Sequence, residues 1–156
     1  MKSYWNNPDA TNAAIDSGRW MHTGDLGSLD ADKFINIVGR FKDMIIRGGE
    51  NIYPREIEEV LHANPDVLEV RVIGILSERF GEEVMAWVKL REGSTPTGDE
   101  LAAWCKGKIA SYKIPRHWKF VDGFPMTVTG KIQKFKMREV AIEELGLEKA
   151  AGVRTA

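Results

Sequence analysis

Two stretches of strict alternation limit this chain to a small set of folds. Leu68, Val70 and Val72 alternate with Glu69 and Arg71; Val84, Ala86, Val88 and Leu90 alternate with Met85, Trp87, Lys89 and Arg91. Side chains two residues apart share one face of an extended chain, so both stretches predict strands, with residues 78–82 turning between them. Helical patterns flank the pair. After Pro54, apolar Ile57, Val60 and Leu61 recur at helical spacing until Asn64-Pro65. Thr97-Gly98-Asp99-Glu100 is a capping-box pattern. Its helix would place Leu101, Trp104, Cys105 and Ile109 on one stripe and stop at Lys113-Ile114-Pro115. Trp118 and Phe120 suggest a third strand, and a last helix spans about residues 135–145 with Gly146 as its cap. Strand, strand, helix and strand in this order predict an α+β fold, a small mixed sheet of about three strands packed with helices.

One or two β-hairpins precede that sheet. Residues 26–29 and 34–38 flank Asp30-Ala31-Asp32, and a shorter pair, Met44-Ile45-Ile46-Arg47 and Asn51-Ile52-Tyr53, flanks Gly48-Gly49. Between the hairpins, residues 39–43 are polar and glycine-led, and a boundary is expected there. The predicted organisation is a first unit over 1–41, a second over 42–147 and a frayed tail over 148–156. Residues 1–22 are turn-rich and read as irregular structure that lies against something else, with Trp5 and Trp20 exposed.

Composition excludes several classes. A net charge of −1 with both signs interspersed gives no electrostatic case for nucleic-acid binding. No apolar run approaches the ~20 residues of a membrane span, so no transmembrane segment is expected. The first five residues have no apolar core and do not read as a signal peptide. The single cysteine, Cys105, excludes an internal disulfide and fits a reducing compartment, here the cytoplasm. His22, His62 and His117 show no metal-ligand spacing, so no metal site is expected. No serine sits in a nucleophile elbow.

Three short motifs carry the chemistry. In Thr127-Val128-Thr129-Gly130-Lys131, a glycine able to take positive φ closes a turn that thrusts one ammonium outward. Asp25, after Thr23-Gly24, offers paired oxygens to a sugar diol. Arg40, in Gly39-Arg40-Phe41-Lys42-Asp43, lies one hairpin away and can approach Asp25 across the strand ends. An acceptor pair, a guanidinium and a mobile cation are the groups that hold a nucleotide and neutralise charge at its phosphate. Gly48-Gly49 would let a thin ligand pass close to backbone. Each motif alone has an ordinary reading: a turn residue, a surface arginine, a bare hairpin. Cys105 reads as a packing residue, and the basic run 131–138 reads mostly as a solvated helix face.

Five ordered blocks carry a family likeness: Tyr4-Trp5-Asn6-Asn7-Pro8, Trp20-Met21-His22-Thr23-Gly24-Asp25, Gly39-Arg40-Phe41-Lys42-Asp43, Ile46-Arg47-Gly48-Gly49-Glu50-Asn51-Ile52-Tyr53-Pro54 and Thr129-Gly130-Lys131-Ile132-Gln133-Lys134. With them the chain resembles the C-terminal part of AMP-forming acyl-CoA synthetases, in the adenylate-forming superfamily that includes luciferases. The wording around Tyr112-Lys113-Ile114-Pro115-Arg116 is most like fatty-acyl-CoA ligases. The resemblance implies ATP, Mg²⁺ and coenzyme A as substrates and cofactor, with a fatty or other small carboxylic acid. It implies that Asp25 binds the ribose hydroxyls, Arg40 the same nucleotide, and Lys131 the charge of the adenylation step. Lys42 matches the hinge position, which is aspartate or lysine in the family. Gly48, Gly49 and Glu50 match the loop along the pantetheine arm of CoA, and Lys106 a CoA-nucleotide contact. Phe80 stands where some relatives place a basic CoA contact.

The family's phosphate loop and acyl pocket lie in a large N-terminal adenylation domain absent from these residues. The expectation is therefore the C-terminal part of a ligase, inactive alone and partnered by that domain. The alternatives are a ligase for an aryl or other carboxylic acid, and a stand-alone interaction module without catalysis.

Overall fold

A computed structural model describes residues 1–147; the tail expected over 148–156 lies outside the described residues. The chain folds as two compact units, the first Met1–Lys42 and the second beginning at Asp43.

In the first unit, residues expected to be irregular contain a short helix, α1 (Pro8–Ala14). Asn7 caps it by accepting from the Ala10 amide at 3.0 Å, Pro8 stands in its first turn and Asp9 adds an acidic group there. Trp5 and Trp20 are exposed, as the sequence suggests. The hairpin β1 (Asp25–Leu29) and β2 (Ile35–Arg40) pairs antiparallel, with Asp25 opposite Arg40. Its strands reach further than the alternation implied, taking Asp25 and both Gly39 and Arg40 into the ladder.

The second unit is built on a mixed sheet. β3 (Ile45–Arg47) and β4 (Glu50–Ile52) form the short hairpin, α2 (Pro54–His62) follows, and β5 (Val67–Ser77) and β6 (Gly81–Leu90) are long antiparallel partners. Then come α3 (Gly98–Cys105), β7 (His117–Phe120) and α4 (Lys134–Leu145). The small mixed sheet is larger than three strands because the second hairpin joins it: Arg47 pairs with Gly81, which gives five strands. β5 covers one edge of β6. The other edge is shared by β3 at Gly81 and by β7, parallel, at residues 85–88. β5 is therefore an outer strand of the sheet.

The alternation read from β6 separates two cores rather than core from solvent. Val84, Ala86 and Val88 pack with Val70 and Val72 against Ile57 and Leu61 of α2 and Leu101 and Cys105 of α3. Met85 and Trp87 pack with Ile73 and Ile75 against Met137 and Ala141 of α4. Both faces of a central strand are thus buried, and each fully buried aliphatic side chain contributes roughly 1.5–3 kcal/mol. Full burial of Leu61, Leu101 and Met137 fixes all three helices to the sheet.

One helix boundary differs from its expectation. α3 ends at Cys105, not at Lys113: Lys106 turns extended and Gly107 adopts φ +76°. Ile109 still reaches the core, but from a bridge with Lys106, and residues Ser111–Lys113 form a separate turn of 3-10 helix.

Candidate functional site

Asp25 and Arg40 meet as register partners at the open end of the first hairpin. Arg40 Nε donates to Asp25 Oδ1 at 3.2 Å, and the Asp25 amide is held by Thr23 Oγ1 at 3.1 Å. The Phe41 amide donates to the Gly24 carbonyl at 2.9 Å, and Gly24 itself has φ +75°. This conformation favours glycine. Asp25 Oδ2 has no partner among the described residues, so the carboxylate keeps capacity for incoming hydroxyl donors.

Lys42 lies in a single turn of 3-10 helix, Phe41–Asp43, at the junction of the two units. Its side chain is exposed, and no hydrogen bond or ion pair holds it among the described residues.

Gly48 and Gly49 form the two-residue connection of the β3–β4 hairpin, with φ +58° and +90°. A two-residue hairpin with both central φ values positive is the geometry that glycine pairs supply. The turn is tied down from below. The Gly48 amide donates to the Phe80 carbonyl at 2.8 Å, and a Cβ on Gly48 would stand 3.2 Å from the Phe80 ring. Phe80 is therefore part of the floor of this turn, and Arg47 stacks on it 4.1 Å from the ring centre. Glu50 begins β4 with its side chain exposed.

Beneath the turn sits a pair that the sequence did not disclose. Arg47 Nε and Nη2 donate to Glu83 Oε1 and Oε2 at 2.5 and 3.0 Å. Burial raises the Glu83 pKa; the Arg47 hydrogen bonds, the Val84 amide and the charges of Arg47 and Arg116 outweigh it, so the net shift is downward. A concavity of about 360 Å³ opens beside it, lined by Arg79, Phe80, Glu83, Arg116 and His117 among others. Burial lowers the His117 pKa, and Arg116 adds to that against the opposing charge of Glu83.

Lys131 crowns a closed turn. The Thr127 amide donates to the Lys131 carbonyl at 2.8 Å and the Gly130 amide to the Thr127 carbonyl at 2.9 Å, with Gly130 at φ +78°. Thr127 Oγ1 accepts from the Lys131 amide at 3.1 Å and lies 2.9 Å from Thr129 Oγ1. The Lys131 side chain is exposed, and among the described residues nothing pairs with its ammonium.

The basic run that follows is not simply a solvated face. Lys134 is half-buried and donates to Glu58 Oε1 at 3.1 Å and to the Val72 carbonyl at 3.2 Å. Lys106 is exposed on the loop after α3, and no hydrogen bond joins it to the Gly48–Gly49 turn among the described residues. Cys105 is buried, and burial raises its thiol pKa against the opposing charge of Lys108. Among the described residues no cluster of His, Cys, Asp and Glu could hold a metal ion, and no helix is long and apolar enough to cross a membrane.

Residues 56–131 match the family described as AMP-binding enzyme C-terminal domain. The chain is 55% identical over 147 residues to YngI of Bacillus subtilis, a protein whose name proposes an acyl-CoA synthetase; the match takes 94% of this chain and 27% of YngI. It is 51% identical to the mitochondrial medium-chain acyl-CoA ligase ACSF2 of Rattus norvegicus, over 94% of this chain and 24% of that protein. The ATP-bound crystal structure of MatB from Rhodopseudomonas palustris superposes with a TM-score of 0.84 at 38% identity, over 89% of this chain and 28% of MatB. The chain thus spans about a quarter of the length of the curated relatives it matches.

Proposed function

We propose, from the match of residues 56–131 to the AMP-binding enzyme C-terminal domain family, that the chain is the C-terminal part of an ATP-dependent fatty-acid–CoA ligase. The ligase joins a carboxylate to AMP, then transfers the acyl group to the thiol of coenzyme A. The observation that carries this reading is Lys131: an exposed ammonium with no partner among the described residues, on a turn closed by three hydrogen bonds. A cation held ready and unpaired is what an anionic transition state needs and what fold stability does not.

In the first half-reaction the substrate carboxylate attacks the α-phosphorus of ATP, the bond to the bridging oxygen breaks and pyrophosphate leaves. Lys131 offsets the charge on the reacting oxygens without taking or giving a proton. Asp25 accepts from the ribose hydroxyls, with Arg40 orienting it and contacting the same nucleotide. In the second half-reaction the CoA thiol attacks the acyl-adenylate carbonyl and AMP leaves. Rotation at Lys42 withdraws Lys131 and brings in the Gly48–Gly49 turn, where missing side chains leave room for the pantetheine arm. Glu50 and Lys106 line the CoA path. Mg²⁺ would accompany the ATP triphosphate as part of the substrate and help offset its charge. The phosphate loop and acyl pocket belong to a large N-terminal domain that this chain partners. The buried, unpaired Cys105 suits a reducing compartment such as the cytoplasm.

The test is carboxylate-dependent exchange of pyrophosphate into ATP, then thioester formation, by the longer protein that carries this chain, with fatty and aryl acids compared. Fatty acids should support both steps and the 156-residue chain alone should support neither. Activity of the isolated chain, or aryl acids as the better substrates, would refute the corresponding part of the reading.

A further inference from the structure

The outer edge of β5 is closed by an ion pair from two helices on opposite faces of the sheet. Val72 faces Ala86 across the β5–β6 ladder, yet its amide and carbonyl both point away from β6. In an antiparallel ladder these are the groups of a non-hydrogen-bonded pair, and on an outer strand they would face water. Here Glu58 Oε1 of α2 accepts from the Val72 amide at 2.8 Å, and Lys134 Nζ of α4 donates to the Val72 carbonyl at 3.2 Å. The two side chains then join each other at 3.1 Å. Helix α2 packs on one face of the sheet and α4 on the other, so the pair wraps the edge.

Lys134 is also the first residue of α4, three positions after Lys131. The segment between them is tethered backward by the Gln133 amide to the Pro125 carbonyl, at 2.8 Å, and by a bridge between Met126 and Ile132. The 127–131 turn is thus the tip of a small hairpin whose return leg ends at Lys134. The apolar packing of Met137, Ala141 and Ile132 holds this leg to the sheet but is non-directional. Lys134, by contrast, is bound to a carboxylate and a carbonyl in fixed directions.

We propose that Lys134, held by Glu58 and the Val72 carbonyl, is the positioning residue that fixes where the 127–131 turn presents Lys131. The proposal rests on the adenylation role given to Lys131 above. A small displacement of a charge aimed at a transition state costs rate and leaves ground-state binding largely intact. The effect therefore falls on one half-reaction.

Two arms test it. In the longer ligase, Lys134→Met keeps the aliphatic stem and removes the two bonds. Its kcat for pyrophosphate exchange should fall about 10- to 100-fold, the scale of a misplacement of roughly 1 Å, with KM for ATP within about twofold. Thioester formation from supplied acyl-adenylate should be unchanged, and Lys134→Arg should restore most of the exchange rate. In the 156-residue chain, Lys134→Met should speed hydrogen exchange at the Thr127 and Gly130 amides while Ile73 and Met85, a ladder pair one residue on from Val72 and Ala86, stay protected. Equal losses in both half-reactions, a lowered Tm with unchanged kcat, or faster exchange spread evenly over the sheet would each overturn the proposal. A wild-type ligase with no exchange activity would instead refute the function proposed above, and the amide arm would still decide whether Lys134 anchors the turn.

Discussion

Arg47 and Glu83 form a two-point ion pair directly under the Gly48–Gly49 turn, with the guanidinium stacked on Phe80. The carboxylate side chain is 5% exposed and the guanidinium 18%. Each charge is therefore tolerable only because the other is there. Glu83→Gln leaves the guanidinium without its counter-charge and should destabilise the second unit by about 3–5 kcal/mol, the scale for breaking a buried pair. Denaturant unfolding of the purified chain measures this.

The same pair sets an acid limit. The folded-state pKa of Glu83 lies below its unfolded value, so its contribution is full above the unfolded pKa and is lost as pH falls through the folded one. Unfolding free energy measured from neutral pH downward should fall in the acid range, and the Glu83→Gln profile should be flatter there. Parallel profiles would show that Glu83 is not responsible.

Gly98 opens α3 directly against Trp118. A Cβ there would sit 2.7 Å from Trp118 Cδ1, closer than real contacts allow. Gly98→Ala should cost about 1–3 kcal/mol, as forced overpacking does, despite alanine's better helix propensity. A Tm equal to wild type would mean that the ring moves aside without cost.

Much of this fold could be read from the chain because its strands and caps obey local rules. The alternation through β6, the capping box at Thr97 and the glycine cap at Gly146 each specify their element within a few residues. The end of α3 was not legible, since Ile109 continues the helical spacing while Gly107 has already broken the backbone. Gly48, Gly49 and the turn that carries Lys131 are legible because tight turns need particular residue types, and Asp25 and Arg40 face each other at the open end of their hairpin. Their supports are not: Glu83 lies 36 residues from Arg47, and Lys134 lies 76 from Glu58. Such pairings depend on tertiary contact, which local spacing does not encode. Glu83, next to Glu82 and between the turn and the apolar start of the alternation at Val84, carries no local mark of its burial.

Asp25 and Arg40 predict a nucleotide phenotype. Asp25→Ala in the proposed ligase should raise KM for ATP about 10- to 100-fold, since hydrogen bonds to a charged group contribute roughly 1.5–3 kcal/mol. Initial-rate kinetics of pyrophosphate exchange checks this, and an unchanged KM would remove Asp25 from the ribose site.

Lys42 predicts a conformational one. Proline fixes φ near −65° and removes an amide donor, so Lys42→Pro should slow thioester formation more than adenylation. Separate single-turnover assays of the two steps decide it; equal effects would deny Lys42 the role of pivot.

The most direct measurement is Lys131→Ala in the proposed ligase, with each half-reaction assayed separately. Adenylation should slow by roughly 10²–10³, the loss of one preorganised charge, while thioester formation from supplied acyl-adenylate stays near wild type. Equal losses in both steps, or no loss in adenylation, would contradict the role given to Lys131.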